Sequence, residues 1–260
     1  HPRVTWLRGQ RYVEDGAVTT TAGVTSGVVG ALRLVERIAG TQEAERIGRE
    51  VAYPGWSLGG PTEIGVNALA PADLPYALNA AFPWLRPTLG IGLADGVGEI
   101  DVAAAFEVYS ATSSATRAVP VAASPVITTR HGATLLASTA ASDLDRLIVA
   151  GTGDADAGLA AWATDRGLPI ERPHAARAPG ESSFDPVLRD LAASTDAATA
   201  RATAKFVEYP LDGSRLPGAP WPWRPTVLLA LTLVAAAIPL IAAWPRTVSA
   251  ARNQQAAGRG

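Results

Sequence analysis

A serine between two glycines is the first pattern in this chain that could do chemistry. Gly55-Trp-Ser57-Leu-Gly59 matches the Gly-x-Ser-x-Gly turn, in which a serine nucleophile sits between a strand and a helix. Here a predicted helix comes before the pattern, and Gly60-Pro61 follows it. We therefore interpret Ser57 as a loop residue rather than as a nucleophile.

A pair of glycines at Gly151-Thr-Gly153 follows a predicted strand, as in turns that bind a dinucleotide. The third glycine of such a turn is missing, and Asp154 and Asp156 occupy the start of the next helix. Two carboxylates would repel the pyrophosphate that a helix N-terminus otherwise attracts. We expect no nucleotide here and assign both aspartates to stabilising the helix dipole.

Composition restricts the chemistry further. The chain contains no cysteine, which excludes disulfides, a thiolate nucleophile and cysteine-ligated zinc within these residues. His1, His131 and His174 are far apart and show no metal-ligand spacing, so we predict no metal site and no cofactor. The net charge of −2 offers no clustered basic surface, so nucleic acid is not a predicted partner.

The elements that must position these residues alternate between strands and helices, which predicts a layered α/β sheet. Strands at 4–7 and 18–21 are predicted to form a hairpin around Glu14-Asp15-Gly16. Two amphipathic helices follow, from Thr25 or Ser26 to 40 and from 41 to 54. After an aperiodic stretch, we predict strands at 89–93, 117–123, 126–129, 133–137, 147–150 and 168–171, and helices at 100–109, 154–166 and 185–209.

Two segments carry a resemblance to a known family. Residues 11–27 (RYVEDGAVTTTAGVTSG) lead into a helix, and residues 89–108 (LGIGLADGVGEIDVAAAFEV) cover a strand and a helix. Both resemble the ThiJ/PfpI family, which has the class I glutamine amidotransferase-like, flavodoxin-like fold with a mostly parallel sheet. The resemblance implies a partial first copy at 1–56, a linker at 57–87 and a degenerate second copy at 88–212. Because the chain also lacks methionine, we expect it to begin inside a domain.

The resemblance also implies where a site would lie. Family enzymes carry a cysteine on a strand-to-helix elbow, with an acid on the first helix and often a histidine. The acid position falls on Asp101, but the segment where the elbow is expected has the sequence Arg-Pro-His-Ala-Ala-Arg. Asp101 is then either the family acid or a helix cap. Residues that could line a pocket are Thr25, Ser26, Gly151 and Gly153, although Thr25 and Ser26 could equally cap a helix.

One internal similarity concerns the ends of two helices. Residues 49–54 (REVAYP) and 205–210 (KFVEYP) end two amphipathic helices in the same way. A duplicated domain would produce this similarity, and so would chance in helices rich in alanine.

The last 40 residues suggest a membrane anchor. Residues 226–244 carry no charge, tryptophans flank them, and arginines lie on both sides. We predict a transmembrane helix at 225–245 after a juxtamembrane linker at 213–224, with a buried core helix as the alternative. Three arginines in the tail at 246–260 favour a cytoplasmic tail and an extracytoplasmic body.

The resulting hypothesis is a membrane-anchored ThiJ/PfpI-like protein in which this segment is non-catalytic and serves ligand sensing, dimerisation or scaffolding. Its partners would be the lipid bilayer, a second copy in a homodimer and a small-molecule ligand. The alternative is part of a cysteine-dependent hydrolase, hydratase or glyoxalase-like lyase whose nucleophile lies upstream of residue 1. A transcription regulator is a third hypothesis, but we find no helix-turn-helix pattern in the sequence.

Overall fold

The computed structural model describes residues 4–65, 67–110, 112–139, 141–211 and 215–239. The chain divides into two compact units, His1–Trp221 and Pro222–Gly260. In the first unit the helices are α1 (Ser26–Ala39), α2 (Thr41–Val51), α3 (Leu74–Ala81), α4 (Glu99–Tyr109), α5 (Ala157–Asp165), α6 (Phe184–Ser194) and α7 (Ala197–Phe206). Its strands are β1 (Tyr12–Asp15), β2 (Val18–Thr21), β3 (Thr88–Gly92), β4 (Arg117–Val121), β5 (Val126–Thr128), β6 (Thr134–Leu136), β7 (Arg146–Val149) and β8 (Ile170–Glu171).

A parallel sheet of four strands, in the order β4-β3-β7-β8, forms the centre of the first unit. Strands β3 and β7 are its inner pair, and after their first residues, Thr88 and Arg146, they have the continuous apolar sequences that strands buried on both faces require. Leu89, Ile91, Leu147 and Ile148 are fully buried there. Helix α4 connects β3 to β4, and α5 connects β7 to β8, so the loops after the strands collect at one edge.

Two small antiparallel hairpins, β1–β2 and β5–β6, accompany the sheet. The first turns at Gly16, whose φ of 62° lies in the left-handed region that glycine adopts without strain. The predicted strand at 4–7 is wrong, because Val18–Thr21 pairs with Tyr12–Asp15 instead. The turn itself lies at Gly16-Ala17, and Glu14 and Asp15 belong to the partner strand rather than to the turn.

Two helix pairs, α1–α2 and α6–α7, end in the same local conformation. Ala52 and Glu208 both have a left-handed backbone, with φ of 50° and 59°, and a Tyr-Pro pair follows each of them. The rings of Tyr53 and Tyr209 meet edge to face at 5.9 Å. The repeated helix ends therefore lie against each other inside one hydrophobic core, which also includes Val29 and Leu89.

The predicted linker at 57–87 contains a helix that the sequence pattern did not indicate. Helix α3 packs beside α7, where Asn79 donates a hydrogen bond to Thr199 over 3.0 Å. Just before α3, Asp73 forms an ion pair with Lys205, in which Oδ2 and Nζ are 2.6 Å apart. The division of the chain into two family copies, at 1–56 and 88–212, stays a prediction.

The predicted last helix at 185–209 is two helices, because the chain turns at Thr195-Asp196. Asp196 is buried and caps α7: its Oδ1 accepts the Thr199 N–H over 2.7 Å. A capping aspartate of this kind is worth about 1 kcal/mol. The apolar periodicity alone indicates one continuous helix here. The helix-start signal that divides it is the sequence Ser194, Thr195 and Asp196.

The second unit corrects the membrane prediction. Residues 223–239 of this unit are helical. Among the described residues we find no helix with both the length and the apolar character needed to cross a membrane. The predicted transmembrane helix at 225–245 is therefore wrong, together with the fold class that includes it and the single-pass membrane location. Residues 240–260, with the end of that segment and the basic tail, lie outside the described residues.

Candidate functional site

A buried cluster of polar side chains lies where the parallel strands end. Asp101 belongs to the first turn of α4, which follows β3, and Gly151 comes directly after β7. His174 lies in a short 3-10 turn, Pro173–Ala176, after β8, and Ser183 precedes α6. The carboxyl edge of a parallel sheet is the usual place for a site in α/β proteins, so we treat this cluster as the candidate site.

Asp101 is the centre of the cluster. The carboxylate is 4% exposed, and its Oδ1 accepts hydrogen bonds from Ser183 Oγ over 2.7 Å and from Arg177 Nη1 over 2.9 Å. Arg177 Nη1 also donates to Ser183 Oγ over 2.5 Å, which closes a triangle of three groups. A buried carboxylate needs this kind of pairing, because an isolated buried charge is very costly. Asp101 is therefore held by a guanidinium and a hydroxyl rather than by the N–H groups of its own helix.

His174 is fully buried beside this triangle. Its Nδ1 accepts the N–H of Gly151 over 3.2 Å, so the ring proton belongs on Nε2, which donates to the Ser183 carbonyl oxygen over 3.2 Å. Nε2 also lies 3.8 Å from Asp101 Oδ1. Burial lowers the pKa of His174, and nearby Arg177 acts in the same direction, although Asp101 opposes them. The imidazole is therefore neutral at pH 7.

Two glycines let the main chain approach the carboxylate. A side chain at Gly98 would put its Cβ 2.9 Å from Asp101 Oδ2, which is closer than real Cβ atoms come. Gly151 has a φ of 86°, and this left-handed turn directs its N–H towards the His174 ring. A larger residue at Gly98 would push the acid out of its place, whereas at Gly151 the left-handed backbone is what disfavours a side chain.

The cluster contains serine, histidine and aspartate, but they are not connected as in a nucleophilic triad. In a triad the imidazole takes the serine proton and the carboxylate orients the imidazole. Here the Ser183 hydroxyl donates directly to Asp101, and the His174 ring bonds to the Ser183 main chain. Ser183 is 1% exposed, so a substrate would have no access to its hydroxyl.

The structure brings together only some of the residues that the sequence analysis predicted. Asp101 and Gly151 lie in the cluster, whereas Gly153 lies outside it, where its carbonyl accepts a hydrogen bond from Arg172 over 3.3 Å. Thr25 and Ser26 lie in another part of the core and bond to Tyr53 and Glu208, respectively.

The remaining sequence patterns are structural in the described residues. Thr25 stands at the N-cap position of α1 but makes no side-chain capping bond. Asp156 caps α5 by accepting the N–H groups of Gly158 and Leu159, and Asp154 pairs with Arg172 over 2.6 Å. Ser57 is exposed in an irregular loop. His1 lies outside the described residues.

Sequence reasoning missed Arg177 and Ser183 and considered His174 only when it found no metal-ligand spacing among the histidines. The segment Arg-Pro-His-Ala-Ala-Arg was identified as the place of the expected elbow, so its histidine and second arginine were available as a signal. Ser183 is separated from Asp101 by 82 residues, and the local pattern contains no sign of their contact.

Comparison with known proteins does not assign this chain to a family. No protein-family model and no curated protein matches the sequence. Among solved structures, the chain is similar to the crystal structure of an AraC family transcriptional regulator from Pseudomonas putida, with 12% sequence identity and a TM-score of 0.38. That match covers 46% of this chain and 99% of the other. A TM-score this low carries no argument, and the resemblance to the ThiJ/PfpI family stays a prediction.

Proposed function

We propose that the first unit is a non-catalytic module of ThiJ/PfpI type that serves ligand sensing, dimerisation or scaffolding. The observation that supports this proposal is the state of the acid position. Asp101 is buried in an ion pair with Arg177 and accepts the Ser183 hydroxyl. A catalytic acid or base must reach the proton that it transfers, and Asp101 has no free access to one.

The cluster has a mechanical role in this proposal. Asp101 is on α4, Arg177 follows the 3-10 turn after β8, and Ser183 precedes α6. The three hydrogen bonds therefore fasten the edge of the sheet to the helix layer. Removing one partner of a buried ion pair typically costs 3–5 kcal/mol, because the other charge stays buried without compensation.

A double-mutant cycle tests this role. We expect Asp101→Asn and Arg177→Gln each to lower the free energy of unfolding by about 3 kcal/mol, the low end of that range because the Arg177 side chain is 24% exposed. The double variant should lose less than the sum of the two. The exposed pair Asp154 and Arg172 is the matched control, and Asp154→Asn should cost below about 1 kcal/mol. Urea unfolding at pH 7 provides the measurement.

An activity screen completes the test. Esters and 2-oxoaldehydes are substrates for two of the three reaction classes that the family resemblance would imply, the hydrolases and the glyoxalase-like lyases, and we expect no turnover above that of buffer. Saturable turnover that Asp101→Asn abolishes, while the variant remains folded, would refute a non-catalytic role.

A further inference from the structure

A cavity of about 270 Å³ lies beside the β1–β2 hairpin, away from the residues of the Asp101 cluster. Its walls come from the start of the hairpin, from α1, and from the segment 53–63 that follows α2. This volume is near the lower end of the range for small-molecule sites, so it suits a ligand of roughly ten non-hydrogen atoms.

Arg11 lines this cavity as a cation that has no ion-pair partner among the described residues. Its side chain is half-buried, Nη1 donates to the Tyr53 hydroxyl over 2.9 Å, and the guanidinium lies 5.5 Å from the centre of the Tyr53 ring. Among the described residues, no carboxylate oxygen comes within 4.0 Å of the Arg11 guanidinium, although ion pairs do form at neighbouring arginines. The N–H groups that Tyr53 leaves unused are free to bind an anion.

The other charges of the cavity wall are already paired or exposed. Arg33 contacts Glu36 over 2.9 Å and Glu14 over 3.2 Å, so this arginine is neutralised by its own neighbours. Glu63 also lines the cavity, but it is exposed, and water screens its charge. Of the two arginines in this wall, Arg11 is therefore the one whose N–H groups remain available to bind an anion.

Tyr53 fixes the position of Arg11. The Tyr53 hydroxyl contacts Thr25 Oγ1 at 3.0 Å and donates to the Glu208 carbonyl oxygen over 3.1 Å. Burial raises the pKa of Tyr53, against the opposing effect of Thr25 and Arg11, so the hydroxyl keeps its proton at neutral pH. A guanidinium held at one nitrogen loses less side-chain entropy when it binds an anion.

Trp56 provides a flat wall. The indole packs on Gly48 of α2, where a side chain would have its Cβ only 1.9 Å from Trp56 Cζ3. The missing side chain lets the ring lie against the helix and line the cavity while staying half-buried. An aromatic ring of this kind favours a planar apolar body in the ligand.

We propose that this cavity binds a small organic carboxylate with a flat apolar body, its carboxylate on Arg11 and its body against Trp56. A guanidinium can hold both oxygens of a carboxylate in one plane, and a lysine cannot reproduce that geometry. The proposal does not rest on the Asp101 cluster, so either proposal can fail without the other.

Benzoate is the probe for this site. In NMR titrations followed at the Trp56 indole N–H, we expect saturable shifts at millimolar concentration or below, and at least tenfold weaker binding of the neutral benzamide. Arg11→Gln should weaken benzoate binding at least tenfold, and Arg11→Lys several-fold. Arg49→Gln, which removes an exposed arginine of α2, should leave the binding unchanged.

The outcomes separate the ligand classes. Benzoate that does not saturate, benzamide that binds equally well, or an Arg11→Gln variant with unchanged affinity overturns the proposal. Inorganic phosphate that binds as tightly as benzoate would make this a general anion site and overturn the assignment to carboxylates. Thermal unfolding shows whether Arg11→Gln is folded, and if it is not, Arg11→Lys decides the result.

Discussion

His174 holds two loops together through its ring nitrogens. One nitrogen bonds to the main chain after β7 and the other to the main chain before α6, so a neutral imidazole satisfies both Gly151 and Ser183. A doubly protonated ring could not accept the Gly151 N–H. The residue therefore acts as a main-chain clamp that works in one protonation state only.

This clamp predicts a stability that falls with acid. The pKa of His174 in the folded chain is below the usual value of 6.5, so the unfolded chain binds this proton first as the pH decreases. The contribution is complete above about pH 6.5 and is lost below it, with a slope of at most about 1.4 kcal/mol per pH unit. Urea unfolding between pH 7 and 5 should show this loss, and His174→Asn should be less stable at pH 7 but depend less on pH. Glu45→Gln, at an exposed position of α2, is the control, and an equal pH dependence in both variants would contradict the clamp.

The β5–β6 hairpin is fastened to α4 by one carboxylate. Glu99, in the first turn of α4, accepts hydrogen bonds from the Thr129 hydroxyl and from the His131 main chain over 2.8 Å. Its other oxygen lies 2.7 Å from His131 Nδ1. These bonds, first of all that from Thr129, lower the pKa of Glu99 from 4.5 to about 2.

The lowered pKa of Glu99 sets the pH range over which this carboxylate stabilises the hairpin. The bond to Glu99 is fully effective above about pH 4.5 and is lost as the pH falls towards 2, because the unfolded chain takes up the proton first. We expect Glu99→Gln to reduce the difference in unfolding midpoint between pH 5 and pH 3. Glu45→Gln, which changes an exposed glutamate of α2, should keep the wild-type difference. Amide exchange at 126–136 should rise in Glu99→Gln alone.

Helices and strands could be predicted from the sequence where one hydrophobic pattern dominates the segment. The apolar stripe and the glycine stop predict α1, which is confirmed at Ser26–Ala39, and the apolar run at 147–150 predicts β7. The break between α6 and α7 depends on the buried cap at Asp196, and α3 depends on packing against α7, so neither follows from a local period. The Asp101 cluster joins the start of α4 to the segment between β8 and α6, across 82 residues, and such a contact is set by tertiary packing alone.

The larger hydrophobic cluster of the first unit includes residues from both helix pairs. The Thr25 N–H bonds to the Val207 carbonyl over 2.9 Å, and Tyr53 stacks edge to face on Tyr209. Phe184 in turn stacks on Tyr209 at 5.3 Å. Residues before 56 therefore complete the packing of residues after 180.

This shared core predicts that the unit unfolds as a whole. We expect the polypeptide 1–221 to unfold in a single transition that circular dichroism and tryptophan fluorescence report alike. A polypeptide of residues 57–221 should lack cooperative unfolding, because it loses Val29 and Tyr53 from the core. A stable, cooperative 57–221 polypeptide would instead favour the division into copies at 1–56 and 88–212.

The hydrogen bond between Gly151 and the His174 ring also affects whether the cluster can bind a metal ion. The lone pair that an imidazole offers to zinc or nickel is already committed to a main-chain N–H, and the neighbouring Asp101 is committed to a guanidinium. A divalent ion would therefore have to displace the Gly151 N–H before it gained the imidazole as a ligand. A histidine beside an aspartate is thus not in itself a metal site, because here the main chain already occupies the nitrogen that a metal would need.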